Sequence, residues 1–182
     1  MSVADPDDSS RIAQLVQAAF NHLDIKWTGP DVELNRNFTV TPEEIHAIIG
    51  NSNAAFLMAT IENGSFIGVV AVIKTTEDLA RFALLAVDPT YQASGIGGHI
   101  LEQAEDYAIN TWDIKMFGLN AFSTRGLLIE WYEKRGYTIT GEKSELPAKA
   151  VERLTLSNDL HFVEMEKQVE TAHVVRKEQL RA

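Results

Sequence analysis

A glycine-rich turn between an apolar run and a helical pattern is the stretch best suited to chemistry. The run from Phe82 to Val87 is typical of a buried strand, and Asp88-Pro89 ends it. Glycines allow the backbone to approach a ligand closely, and the first N–H groups of a helix have no partner within that helix. We therefore expect this turn to hold a pyrophosphate. It reads Gln92-Ala93-Ser94-Gly95-Ile96-Gly97-Gly98.

The same glycines raise the alternative of a dinucleotide-binding fold, but their spacing does not fit it. That motif needs Gly-x-Gly-x-x-Gly near the start of a strand–helix–strand unit, with an acidic residue about 20 residues later. Gly95, Gly97 and Gly98 do not follow that spacing, and no repeated units of this kind come after them.

The composition narrows the class of protein. A chain of 182 residues that is 45% hydrophobic predicts one domain over residues 1–182, with a charged tail at 169–182 that could form a helix. The net charge of −10 argues against a surface that binds nucleic acid, and it favours cationic or neutral small substrates. The alternative is that this charge only reflects an acidic surface with no role in binding. The chain has no cysteine, and its five histidines lack ligand spacing, so we expect no metal.

Periodicity and capping signals define the elements that must position the turn. They predict helices over residues 12–20, 42–50, 96–108 and 127–136, and strands over residues 55–61, 66–73, 81–88, 115–121, 137–141 and 160–165. Residues 22–40 are expected to form a long loop. The strand–helix–strand unit that contains the turn should be a right-handed parallel crossover.

Three stretches carry a resemblance to a known family. They are Leu85-Ala86-Val87-Asp88-Pro89 with the turn after it, Trp131-Tyr132-Glu133-Lys134-Arg135-Gly136-Tyr137, and the weaker His161-Phe162-Val163-Glu164-Met165-Glu166-Lys167. The sequence resembles the GCN5-related N-acetyltransferases, the GNAT superfamily. The resemblance implies an α/β fold, with a mixed, mostly antiparallel sheet of about six or seven strands and about four flanking helices.

In that fold the sheet is splayed between the family's fourth and fifth strands, which correspond here to residues 81–88 and 115–121. The family's first strand has only residues 1–4 available, so it should be short or absent.

The resemblance also implies acetyl-CoA as the donor. The backbone of Leu85, Ala86 and Val87 would pair with the pantetheine arm, and the amides of residues 93–98 would hold the pyrophosphate. Gln92 stands where the family more often has Arg, so one charged contact is missing. Arg125 replaces an Asn that touches CoA in many relatives; it would contact a cofactor phosphate or merely cap its helix.

Two residues are candidates for the catalytic chemistry. By resemblance Tyr132 is the general acid that protonates the leaving thiolate, although a tyrosine on an apolar helical stripe is also suited to packing. Asn120 stands where some relatives carry a Glu; it cannot act as a base, but it could polarise the thioester or orient a water. The general base stays open. The candidates are Asp31, Glu33, His46, His161, a water chain to solvent, and an amine that arrives neutral.

The acceptor site is expected in the loop after the first helix, where Trp27, Asp31 and Glu33 would bind an amine, unless Trp27 only anchors that loop. The resulting hypothesis is acetyl transfer to a primary amine of a small molecule, in a ternary complex. The alternatives are a non-catalytic acyl-CoA-binding or sensor module and a protein or peptide N-acetyltransferase. We expect a cytoplasmic protein without membrane or nucleic-acid partners, and a homodimer that pairs through the edges of its first and last strands.

Overall fold

A computed structural model of the protein describes residues 1–22, 39–144 and 160–169. In these ranges the chain forms seven strands and four α-helices. The strands are β1 Ser2–Val3, β2 Ala54–Thr60, β3 Phe66–Lys74, β4 Leu79–Val87, β5 Met116–Phe122, β6 Thr138–Ser144 and β7 Phe162–Gln168. The helices are α1 Ser9–Asn21, α2 Pro42–Ile49, α3 Ile96–Trp112 and α4 Gly126–Glu133.

All seven strands belong to one sheet, in the order β1-β2-β3-β4-β5-β7-β6. Every neighbouring pair is antiparallel except β4–β5, which is parallel. The predicted fold class is therefore confirmed, including the four helices. The family's first strand is present as the two residues of β1.

The predicted edge strands need one correction. The last strand, β7, lies inside the sheet between β5 and β6, so β6 forms that edge. The reason is that β5 keeps β4 as a neighbour for only a few residues and pairs with β7 along its whole length. An interface through the edge of the last strand is therefore not available.

Local sequence signals account for the start of α2. The N–H of Thr41 donates to Oε2 of Glu44 at 3.0 Å, and the N–H of Glu44 donates to Oγ1 of Thr41 at 3.3 Å. This reciprocal cap satisfies two helix N–H groups, and Pro42 occupies the first helical position, where no N–H is needed. The helix ends at Gly50, as predicted.

The sheet carries a hydrophobic core on each face. One core contains residues of α3 and α4, and the other contains residues of α1 and α2. Strand β4 changes face partway, because Ala80 and Phe82 belong to the first core while Ala86 belongs to the second. A β-bulge causes this change: the register to β3 shifts after Ala83, and Leu84 has a φ of +51°.

The parallel pair β4–β5 separates early. The two strands are in register only from Leu79↔Met116 to Arg81↔Gly118. Beyond Arg81, β4 remains paired with β3 and β5 remains paired with β7. The later residues of β4 and β5 therefore border an opening in the sheet, with backbone groups that another chain of amides could pair with.

Close packing of Gly68 on β3 against α3 and β4 predicts the effect of one substitution. Gly68→Ala should lower the free energy of unfolding by about 1–3 kcal/mol, because its Cβ would lie 2.4 Å from Cδ1 of Ile100 and 3.1 Å from the carbonyl oxygen of Ala86. Urea unfolding measures the change. Gly126→Ala is the matched control, since no atom of the described residues lies within 4 Å of that Cβ. Equal stability of the two variants would contradict the tight packing at Gly68.

Candidate active site

The segment after β4 is held by its own side chains. Asp88 accepts hydrogen bonds from the hydroxyl and the N–H of Thr90 at 2.6 and 2.8 Å, and these bonds lower the pKa of its carboxyl. Nε2 of Gln92 donates to the carbonyl oxygen of Val87 at 3.1 Å. Oγ of Ser94 donates to the carbonyl oxygen of Tyr91 at 2.5 Å. The turn is thus tied to the end of the strand that precedes it.

The backbone of the turn presents N–H groups to solvent. Ala93 and Gly95 have φ values of +61° and +85°, which reverse the chain before α3. The N–H groups of Gly98 and His99 donate to the carbonyl oxygen of Gly95 at 3.1 and 3.2 Å. Within the described part of the chain, no hydrogen bond is made by the N–H groups of residues 93–97. Free N–H groups at a helix start can hold an anion.

Tyr132 lies on α4 with its ring buried in the core below this turn. It is 7% exposed and packs edge-on against Trp131 and Tyr137, with ring centroids at 5.0 and 5.8 Å. Burial raises the pKa of Tyr132 to about 12, against the opposing effect of Arg125 and Arg135 nearby. The hydroxyl is therefore protonated at neutral pH and can donate a proton.

Two buried polar atoms lie at the start of α4. Nε of Arg125 and Oγ1 of Thr124 have no hydrogen-bond partner among the described residues. Burial lowers the pKa of Arg125, and the neighbouring Tyr132 opposes that change. A guanidinium in such a position is suited to an anionic or carbonyl-rich ligand.

Arg135 is a candidate that the sequence reasoning missed. Its guanidinium lies 3.6 Å from the ring centroid of Trp131, and Nη1 donates to the carbonyl oxygen of Trp131 at 2.9 Å. A Cβ on Gly98 would come within 2.8 Å of Nη2, so this cation lies against the first turn of α3. The signal in the sequence is an arginine directly before Gly136, but nothing local relates it to α3.

Asn120 lies in a polar cluster on β5, and its partners were also missed. Its Nδ2 donates to Oε1 of Glu164 on β7 at 3.2 Å, and Arg81 on β4 forms an ion pair with Oε2 of Glu164. In the sequence, Glu164 stands out only as part of the stretch that resembles the closing strand of the family. Its alternation with Val163 and Met165 is the signal that places it on one face of that strand.

The predicted site residues thus fall into two groups. The turn, Leu85, Val87, Arg125 and Tyr132 lie on the side of α3 and α4, whereas the side chain of Ala86 packs in the core of α1 and α2 and Asn120 projects from the face opposite Tyr132. Trp27, Asp31 and Glu33 lie outside the described residues. His46 is on α2 and His161 directly precedes β7. In the described ranges, no cluster of three or more His, Cys, Asp or Glu is suited to a metal, and no helix is long and apolar enough to cross a bilayer.

A comparison with known families identifies the type of domain to which these elements belong. Residues 52–139 match the family model of the acetyltransferase (GNAT) domain. This chain carries a GNAT domain. The match includes β4, the glycine-rich turn, α3, β5 and α4, so the elements that border the opening are those of the family. No curated protein matches the sequence.

Solved structures show the same fold at low identity. Spermidine N-acetyltransferase from Vibrio cholerae, in complex with CoA and spermine, is 13% identical with a TM-score of 0.67, over 92% of this chain and 93% of that chain. A GNAT acetyltransferase from Streptococcus pneumoniae is 18% identical with a TM-score of 0.65, over 92% and 98%. One from Elizabethkingia anophelis with acetyl-CoA bound is 18% identical with a TM-score of 0.58, over 70% and 82%.

The unpaired polar atoms at the start of α4 predict two stabilising substitutions. Arg125→Met and Thr124→Val should each raise the free energy of unfolding of the protein alone by about 1 kcal/mol, because each removes a buried polar group that lacks a partner. Denaturant unfolding measures this change. Arg135→Met is the control and should not stabilise, since that guanidinium stacks on Trp131. A loss of stability in both test variants would contradict the absence of partners for these two polar atoms.

Proposed function

We propose that this protein is an N-acetyltransferase that moves an acetyl group from acetyl-CoA to a primary amine of a small molecule, by direct transfer in a ternary complex. The observation that carries the proposal is the opening between β4 and β5, bordered by the glycine-rich turn within a GNAT domain. We also propose a single cytoplasmic domain over residues 1–182. A homodimer would have to use a surface other than the edge of β7.

The proposed cofactor site has three parts. The N–H groups of residues 93–98 would hold the pyrophosphate, and the free groups of residues 93–97 support this assignment. The backbone of Leu85, Ala86 and Val87 would pair with the pantetheine arm. Gln92 already donates to the carbonyl oxygen of Val87, which keeps its second lone pair for the ligand. Arg125 would contact the cofactor through its unpaired Nε.

The proposed chemistry is an acyl transfer without a covalent enzyme intermediate. The amine nitrogen attacks the thioester carbonyl carbon, the C–S bond breaks, and the leaving thiolate takes the proton of the Tyr132 hydroxyl. The ordinary pKa of a thiol is about 8.5, whereas burial raises the pKa of Tyr132 to about 12, so this proton transfer is uphill for a thiolate in water. It requires that the same buried surroundings also raise the basicity of the leaving thiolate. Solvent then returns the proton to Tyr132 and removes the extra proton of the product amide nitrogen.

Two observations support a small cationic acceptor. The structure from Vibrio cholerae is a spermidine acetyltransferase with spermine, and the net charge of −10 attracts amines in their ammonium form. Trp27, Asp31 and Glu33 remain the proposed acceptor-binding residues. A panel of primary amines assayed by thiol release identifies the acceptor, and peptide amines in the same panel test the protein-acetylating alternative.

Tyr132→Phe separates an enzyme from a non-catalytic acyl-CoA-binding module. If Tyr132 is the general acid, kcat should fall about 10²–10³-fold, while the Kd for acetyl-CoA by calorimetry stays within about twofold. Because the hydroxyl loses its proton only near its raised pKa of about 12, kcat of the wild type should not decline for this reason below about pH 10. Unchanged turnover in the variant would contradict the assigned role.

Gly97→Trp tests the cofactor site. A Cβ on Gly97 meets only ordinary contacts, at 3.7 Å to Val87 and 3.8 Å to Trp131, but a large ring has no room between them. The Kd for acetyl-CoA should rise more than about tenfold, while Gly97→Ala, the matched control, should bind like the wild type. The cofactor assignment is wrong if affinity survives the tryptophan, or if the wild type binds no acetyl-CoA at millimolar ligand.

A further inference from the structure

A buried carboxylate on β7 joins four strands at the point where β4 and β5 separate. Glu164 is 9% exposed. It accepts hydrogen bonds from Nη2 of Arg81 on β4, from Nδ2 of Asn120 on β5 at 3.2 Å, and from Oγ of Ser144 on β6. Asn120 and Glu164 are also direct partners in the ladder between β5 and β7. Donors from three other strands, the two neighbours β5 and β6 and the more distant β4, therefore converge on one carboxylate.

Glycine at position 118 makes this convergence possible. Arg81 pairs with Gly118 in the last register position that β4 and β5 share. A Cβ on Gly118 would lie 3.4 Å from both Cγ and Nη1 of Arg81, so the arginine side chain runs directly over this glycine. With no side chain in its way, Arg81 crosses β5 and reaches Glu164 on β7.

The cluster projects from the face of the sheet opposite Tyr132. Side chains alternate along a strand, and the neighbours of Asn120, Leu119 and Ala121, lie in the same core as Tyr132. Asn120 therefore projects from the other face. Because Glu164 stands directly opposite Asn120 in the ladder and bonds to it, both side chains share that face. The opening between β4 and β5 connects this face with the side on which Tyr132 lies.

Glu164 is itself poorly suited to act as a base. Burial alone would raise the pKa of its carboxyl, but the hydrogen bonds from Ser144, Arg81 and Asn120 outweigh burial and lower it. The carboxylate is thus ionised at neutral pH and fully engaged with its donors. Its effect on the reaction must pass through the groups that it holds.

The ionised carboxylate determines how the amide of Asn120 is turned. A carboxylate only accepts hydrogen bonds, so the atom of Asn120 that faces Glu164 must be the NH₂ group. Because the carbonyl oxygen of an amide diverges from its NH₂ group, we expect this oxygen to be directed away from β7, toward the side on which β4 has separated from β5. Asn120 is exposed, and in the described part of the chain its carbonyl oxygen accepts no hydrogen bond.

We propose that Glu164 is a positioning residue that fixes the carbonyl oxygen of Asn120 toward the opening between β4 and β5, where this oxygen accepts an N–H of the acceptor amine. The inference rests on the proposed function. A neutral primary amine has two N–H donors and one lone pair, so a hydrogen bond from one N–H to Asn120 leaves the lone pair free for the thioester carbon. The same orientation excludes Asn120 as the group that polarises the thioester, since polarisation needs an N–H directed at the carbonyl.

An exchange of the donor and acceptor between the two positions tests this arrangement. Glu164→Gln alone lets the Asn120 amide turn, and Asn120→Asp alone places two carboxylates together; each should raise KM for the amine about tenfold. In the double variant Glu164→Gln/Asn120→Asp, the new glutamine donates to the new aspartate, whose second oxygen still faces the opening. The charge is unchanged, and KM should return to within about threefold of the wild type.

Matched controls separate positioning from folding. Asn120→Ala combined with Glu164→Gln offers no acceptor at position 120 and should show no recovery of KM. The Kd for acetyl-CoA and the midpoint of unfolding are measured for every variant. Single variants with wild-type KM, or a double variant no better than either single variant, would overturn the inference while leaving the proposed acetyltransferase intact.

A second measurement needs no substrate. The side-chain NH₂ signal of Asn120 in ¹⁵N-labelled protein is identified by its loss in Asn120→Ala. Glu164→Gln should shift this signal and speed its hydrogen exchange. An unaffected signal overturns the inference whatever the activity is. If the signal responds but the wild type acetylates no amine, the amide orientation is supported, while the amine contact is overturned together with the proposed function.

Discussion

The early separation of β4 from β5 is the constraint on which the rest of the structure depends. A parallel pair that ends after Arg81↔Gly118 leaves two rows of backbone N–H and C=O groups without a mutual partner. Strand β5 pairs with β7 along its other edge from Met116 to Phe122, which leaves the backbone groups that face β4 free. In β4 the bulge at Leu84 turns the chain beyond the paired residues. The groups that remain face the opening, where an amide-bearing ligand can satisfy them.

Packing on the two faces keeps the opening in place. On one face the rings of Phe82 and Phe117 lie 5.4 Å apart, next to the last paired residues. On the other face Arg81 crosses Gly118 to reach Glu164, and this ion pair links the part of β4 that is still paired with β5 to β7. The strands are thus joined from both sides at the closed end, while the bulge moves the later residues of β4 to the other core. Closure of the opening would require repacking of both cores.

The sequence predicted what local patterns encode. The cap at Thr41, the glycine-rich turn and the helix of Tyr132 depend on neighbours within a few residues, and all were found where they were expected. The place of β7 and the partners of Asn120 were not predicted. Glu164 lies 83 residues from Arg81 and 44 from Asn120, so their contact follows from strand order, which no local pattern reveals. The contact of Arg135 with α3 was not predicted for the same reason, because it joins the end of α4 to the first turn of α3.

The arrangement of charge suits acetyl transfer to an amine for a physical reason. An isolated carboxylate beside the acceptor nitrogen would favour its ammonium form, which has no lone pair to attack with. Arg81 pairs with Glu164 and thereby cancels that charge locally, although the chain as a whole carries −10 and attracts cations from a distance. Under the proposed function, the acidic surface would collect ammonium ions, and the neutral pair beneath Asn120 would let the amine lose its proton before it attacks.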